Sequence, residues 1–231
     1  MSRSKWHSDH RLCRALILSA SISAALTATA TAPRPALADH PYPANSTTPA
    51  MIPLVGHDAA GSADPVGEVL VVVRDIANRS VPGAVVVIDF SACGDLRLCA
   101  DPHDPNALVN CANRTVTKVA GLVGEARFRI VGCSIRVPGE PGDGGNCARI
   151  YADGDLLAYP SVAIYDLEGC NGLGPPDLSA WLSDYFVGLS PTSGDYDLSY
   201  DLGPNDLSLW LTAFFGAGSL ANCSNGGRCG P

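Results

Sequence analysis

A 14-residue stretch near the C-terminus of this chain occurs twice, 29 residues apart. Leu173-Gly174-Pro175-Pro176-Asp177-Leu178-Ser179-Ala180-Trp181-Leu182-Ser183-Asp184-Tyr185-Phe186 returns as Leu202-Gly203-Pro204-Asn205-Asp206-Leu207-Ser208-Leu209-Trp210-Leu211-Thr212-Ala213-Phe214-Phe215, with nine of the fourteen positions identical. A duplicated segment fixes architecture before any single residue does, because one unit of this size cannot bury its apolar face alone. The apolar residues of each copy fall at i, i+3, i+4 and i+7: Leu178, Trp181, Leu182 and Tyr185, then Leu207, Trp210, Leu211 and Phe214. That spacing predicts two amphipathic helices. Pro175 and Pro204 stand where a first helical turn tolerates proline, and Gly188 and Gly216 where each helix is expected to stop.

Each helix is preceded by an acidic segment in the same register. In a twelve-residue calcium loop, oxygen ligands come from alternate positions and the twelfth closes the shell from the following helix. Counted from Asp166, the first, third and twelfth positions hold Asp166, Glu168 and Asp177. Counted from Asp195, they hold Asp195, Asp197 and Asp206, with Ser199 at the fifth and Asp201 at the seventh. The first loop has Cys170 at the fifth position, where a disulfide would remove it from coordination. The second loop is therefore the stronger candidate calcium site, and one ion is expected rather than two. The alternative is a pair of packed helices without metal, with Trp181 and Trp210 as core residues.

The start of the chain sets the compartment. Arg3, Lys5, Arg11 and Arg14 precede an uncharged run from Ala15 to Ala32, and Ala36-Leu37-Ala38 fits a small-residue cleavage site. Residues 1–38 therefore read as a secretory signal peptide, with an N-terminal transmembrane anchor as the alternative. The remaining chain has ten Lys+Arg against 22 Asp+Glu. Such acidity argues against nucleic acid or anionic membranes as partners and suits a cation. No later segment has membrane-spanning length. Eight cysteines remain after Cys13 leaves: Cys93, Cys99, Cys111, Cys133, Cys147, Cys170, Cys223 and Cys229. An even number in an exported chain points to disulfides. The spacings around Cys93, Cys99 and Cys111, between Cys133 and Cys147, and between Cys223 and Cys229 suit local loops, while Cys170 has no obvious neighbour. A zinc site from Cys99, His103 and Cys111 is disfavoured by the oxidising compartment.

Between leader and repeat the pattern is that of strands. Residues 39–65 are rich in Pro, Ser and Thr and read as a flexible arm, with Asn45-Ser46-Thr47 a formal glycosylation acceptor. Val69–Val73, Ala84–Phe90, Arg114–Val119, Glu125–Ile130, Ala148–Tyr151 and Ser161–Tyr165 are short β-rich runs separated by turn signals. Phe128 and Ile130 fall on one face of theirs, Arg127 and Arg129 on the other. This predicts an antiparallel β-sandwich. Val72-Val73-Arg74-Asp75, Val81-Pro82-Gly83-Ala84-Val85-Val86-Val87 and Gly124-Glu125-Ala126-Arg127-Phe128 resemble bacterial immunoglobulin-like repeats of the invasin and intimin type, departing from them in the cysteine-bearing insertion Ser91 to Asn113. The resemblance implies a structural or adhesive domain over 66–165.

The duplicated loop and helix, with its Asp-Leu-Ser core, resembles a type I dockerin module over 166–216. It departs at the sixth loop position, usually Gly, which is Asn171 or Tyr200, and at the ninth, which is Gly174 or Gly203. The resemblance implies calcium and assembly with another extracellular protein. A Cys-containing tail, 217–231, follows. The expected fold is mainly β: an Ig-like antiparallel sandwich with a small C-terminal α-helical, EF-hand-like loop–helix pair. The expected function is a secreted, non-catalytic binding or structural protein of the bacterial surface or medium, whose partner is a protein or polysaccharide. No Gly-x-Ser-x-Gly, His-Glu-x-x-His or phosphate loop is present, and after the leader only His40, His57 and His103 remain as histidine bases. A secreted hydrolase of polysaccharide or peptide is the alternative.

Overall fold

The computed structural model describes residues 40–55, 67–100, 104, 106–135, 145–188, 193–217 and 229. All of them belong to the compact unit Pro35–Pro231. Residues 1–38, read above as a signal peptide, and His57, His103 and Cys223 lie outside the described residues.

The described chain is mainly β, with two helices near its C-terminal end. Its strands are Met51–Leu54 (β1), Glu68–Val72 (β2), Val85–Asp89 (β3), Leu96–Leu98 (β4), Ala107–Asn110 (β5), Thr115–Val119 (β6), Glu125–Arg129 (β7), Gly132–Ser134 (β8), Arg149–Ala152 (β9), Asp155–Ala158 (β10) and Ser161–Ile164 (β11). Five form an antiparallel sheet in the order β10-β9-β3-β6-β5, and β2 pairs with β7 and β4 with β8, also antiparallel. β1 and β11 form a parallel pair. Period-two alternation is the cause: Val86 and Ile88 of β3, Val69 and Val71 of β2, Ala126 and Phe128 of β7, and Ile150 and Ala152 of β9 are buried, and all join one core. The buried residues of the helices, Trp181, Trp210 and Ala213 among them, belong to the same core.

The flexible-arm expectation for 39–65 fails over residues 40–55. Ile52, Leu54 and Val55 are buried, β1 pairs with β11 from Met51↔Ser161 to Leu54↔Ile164, and Tyr42 and Thr47 bond to Arg74 and Val72. Proline argued against a strand here, but it is tolerated where its missing N–H breaks no ladder. The amide nitrogen of Asn45 donates to the carbonyls of Asp75 at 2.8 Å and Ile76 at 3.1 Å, so the formal glycosylation nitrogen is engaged in structure.

The insertion 91–113 carries β4 and β5, both shorter than the sequence pattern resolves. The turn after β2 is held by Asp75, whose Oδ1 accepts the N–H groups of Ala77 and Arg79 and whose Oδ2 accepts Arg79 Nε and Nη2. The backbone donation from Arg79, reinforced by its guanidinium, lowers the Asp75 pKa against the opposing effect of burial. Gly124 adopts φ 76°, and a Cβ there would lie 2.6 Å from the Val73 carbonyl oxygen, so only glycine fits.

The disulfides are long-range, not local. Cys93 pairs with Cys147, Cys111 with Cys229 and Cys133 with Cys170, across 54, 118 and 37 residues, and Cys99 is also disulfide-bonded. Local spacing misleads here because the sheet brings distant strands together. The same pairing removes Cys99 and Cys111 as thiolate ligands for zinc.

Phe128 is fully buried opposite Val69, whereas Arg127 is half-exposed and pairs with Glu68 and Glu125. Arg129 is half-buried rather than exposed and has a bonding partner of its own. Phe128→Ala is expected to cost about 3–5 kcal/mol in denaturant unfolding, and Arg127→Ala about 1 kcal/mol or less. Equal costs would mean that the buried face is misassigned.

Candidate cation site in the duplicated loops

The two helices are Pro175–Val187 (α1) and Pro204–Ala217 (α2). Both begin at the predicted proline. α1 ends at Gly188, whose left-handed backbone (φ 69°) closes the helix as expected. α2 runs through Gly216 instead of stopping there.

The twelfth loop residue caps each helix. Asp177 Oδ2 accepts the Gly174 N–H at 2.7 Å and Oδ1 accepts the Glu168 N–H at 2.8 Å. In the second copy, Asp206 Oδ2 accepts Gly203 N–H at 2.8 Å, while Oδ1 accepts Tyr196 and Asp197 N–H at 2.6 and 3.2 Å. A carboxylate in the first turn that reaches back to the N-cap N–H satisfies donors the helix leaves open. Both side chains are fully buried.

The copies are also bonded to each other through equivalent atoms. Trp181 Nε1 on α1 donates to the Gly194 carbonyl, and Trp210 Nε1 on α2 donates to the Tyr165 carbonyl, both at 3.1 Å. Gly194 and Tyr165 each immediately precede the first aspartate of a loop, so each helix holds the other copy's loop. Between them, Ile164 N–H donates to the Ser193 carbonyl at 2.9 Å, again joining equivalent positions. Tyr165 and Tyr196 stack with centroids 4.1 Å apart, and the Tyr196 hydroxyl donates to the Ile164 carbonyl at 3.0 Å. Burial raises the Tyr196 pKa far above its ordinary value. The apolar spacing identified both tryptophans as core residues; what it left out was the indole N–H, which needs an acceptor once buried. Asp184, outside the apolar stripe of α1, is also buried.

The loops themselves differ. In the second, carboxylate oxygens of Asp195, Asp197 and Asp206 lie within 4.8 Å of one another, and this trio could hold a metal ion. Ser199 N–H donates to Asp195 and Asp197, both at 3.0 Å, and Tyr200 N–H to Asp195 at 2.9 Å. Ser199 Oγ donates to Asp201 at 2.7 Å. Tyr200 holds φ 69° at the sixth position, the left-handed turn that glycine usually supplies in a calcium loop. Burial raises the Asp195 pKa above its ordinary 3.8, with the charges of Asp206 and Asp197 adding to it, against the N–H bonds from Tyr200 and Ser199. Asp197, exposed, is lowered, first by its hydrogen bond with the Ser199 side chain. For Asp195 the sign is clear: its contribution to stability is fully present below 3.8 and is lost as pH rises through the raised value. At neutral pH the ionised residue is therefore an electrostatic cost that a cation would offset.

The first loop brings together less. Asp166 accepts Gly172 N–H at 2.8 Å, Asp177 caps α1, and Glu168 is exposed. Cys170 is bonded to Cys133 on β8, so its sulfur is not a ligand, and the positive-φ residues of this loop are Gly169, Cys170 and Gly172, not Asn171 at the sixth position. Among the described residues no cluster of three metal-binding side chains forms in this loop. Burial raises the Asp177 pKa against the backbone bonds it accepts.

No family model, curated protein or solved structure matches this chain. The Ig-like and dockerin-like resemblances rest on the motifs quoted for them.

Asp206→Ala leaves three N–H donors without their acceptor. Without added metal it is expected to cost about 1–3 kcal/mol in chemical denaturation. Asp201→Ala, which loses one exposed contact, should cost about 0.5 kcal/mol or less. Similar small costs for both would contradict a structural role for the Asp206 cap.

Proposed function

We propose that this chain is an exported, non-catalytic binding or structural protein, with an Ig-like β-domain and a dockerin-like repeat whose second loop binds calcium. The convergence of Asp195, Asp197 and Asp206 carries this reading. Hard oxygen donors from carboxylates and a hydroxyl suit calcium, whereas zinc sites favour nitrogen and sulfur ligands. Asp195 and Asp206 would supply oxygens directly, with Asp197, Ser199 and Asp201 on the open side of the loop. The first loop, held by the Cys133–Cys170 disulfide, contributes no ion in this reading.

Disulfide cross-links, and the absence of a membrane-spanning helix among the described residues, are compatible with an extracellular setting. The resemblance points to another extracellular protein or a polysaccharide as partner. The chain's role is then to hold that partner, with the cation keeping the repeat in its binding shape.

The test is thermal unfolding of the whole mature chain in calcium and in chelator. A ligand at about 100 times its Kd stabilises the folded state by about 2.7 kcal/mol, a rise of about 5–10 °C for a chain of this size. Calorimetric titration should give one ion per chain, and Asp195→Asn should abolish the calcium-dependent rise. An unchanged melting temperature, or an undiminished rise in Asp195→Asn, would refute calcium at the second loop.

A further inference from the structure

Away from the loops, the structure contains a cavity of about 240 Å³ whose lining includes Leu96, Arg97, Leu98, Arg114, Ile135 and Cys229. Its walls are tied down. Arg114 Nη2 donates to the carbonyls of Cys93 and Leu96, Ile135 N–H donates to the Asp95 carbonyl at 2.8 Å, and Cys229 N–H donates to the Leu98 carbonyl at 3.0 Å. The Cys111–Cys229 disulfide fixes the last wall from a residue 118 positions away.

Arg97 is the residue that needs explaining. It is half-buried on β4, and its Nε is buried with no hydrogen-bond partner. It forms no ion pair with any described residue, although the chain has 23 acids against 15 Lys and Arg. Three other cations in this fold are ion-paired: Arg79 with Asp75, Lys118 with Asp104, and Arg127 with Glu68 and Glu125. Burying a charged donor without an acceptor is costly. A second guanidinium, that of Arg114, lines the same cavity and already uses one nitrogen on two backbone carbonyls.

We infer that this cavity binds a small organic carboxylate, with its anionic group on Arg97 and its apolar part against the cavity's apolar lining, to which Ile135 contributes. A guanidinium presents a planar fork that a carboxylate matches with two parallel hydrogen bonds. A mostly apolar cavity with a few placed polar groups is the usual form of a small-molecule site. The volume limits the ligand to a compact acid. This inference is independent of calcium at the second loop.

The probe is benzoate, titrated into the whole mature chain with the arginine side chains followed by nitrogen-15 NMR. The Arg97 Nε–H resonance should shift saturably with benzoate and not with benzyl alcohol. The saturable binding should vanish in Arg97→Gln and weaken roughly tenfold or more in Arg97→Lys, which keeps the charge and loses the fork. Without benzoate, Arg97→Gln should melt no lower than the unmodified chain, because it removes a charge that has no ion-pair partner among the described residues. A linear shift with benzoate, equal saturation in Arg97→Gln, or a marked fall in the melting temperature of that variant would overturn the assignment. Displacement of benzoate by equimolar sulfate would overturn the carboxylate preference.

Discussion

Two indole N–H groups hold the C-terminal half of this structure together. A buried tryptophan must find an acceptor for its N–H, and a donor left unpaired in the interior costs about 1–3 kcal/mol. Trp181 and Trp210 find theirs in the opposite copy, at the backbone carbonyl immediately ahead of the first loop aspartate. The position of each loop is thus set by the helix of the other repeat. This explains why the unit is duplicated: a single loop and helix would leave its tryptophan without an acceptor and its loop without a support.

The pair is built directly onto the β-structure. All four residues of β11 are buried, and the chain passes from it through Tyr165 into Asp166 without a linker. Ser134 N–H donates to the Asp166 carbonyl at 2.8 Å, and Cys133 beside it is bonded to Cys170. The first loop is therefore fastened to β8 by a covalent link and a hydrogen bond. The second lacks such a link among the described residues and instead gathers three carboxylates, where burial first, and then the neighbouring charges, raise the Asp195 pKa. The same loop pattern is thus held in two ways: by a disulfide in one copy and, on our reading, by a cation in the other.

Much of this was legible in the residues. Helix starts at Pro175 and Pro204, the stop at Gly188, the alternation through Phe128 and the stronger second loop all follow from local chemistry and from comparing the two copies. What stayed hidden depends on distant partners. β1 became a strand because β11 offered it a ladder, not because of its own composition. The disulfides join positions up to 118 residues apart that the sheet brings together. Asp184 and the indole acceptors are buried features of tertiary packing, and helical periodicity assigns a face without naming the atom that meets it.

Hydrogen exchange of the tryptophan indole protons tests the reciprocal hold most directly. In a chain without residues 1–38, and so without Trp6, Trp181 and Trp210 are the only tryptophans, so the proton NMR spectrum should show two indole N–H signals. Both should exchange only through the global unfolding reaction, with the same protection free energy. Trp181→Phe should reduce the protection of Trp210, and the reverse substitution that of Trp181. An indole proton that exchanges at a rate close to that of free tryptophan, or protection of one that is indifferent to loss of the other, would contradict the account.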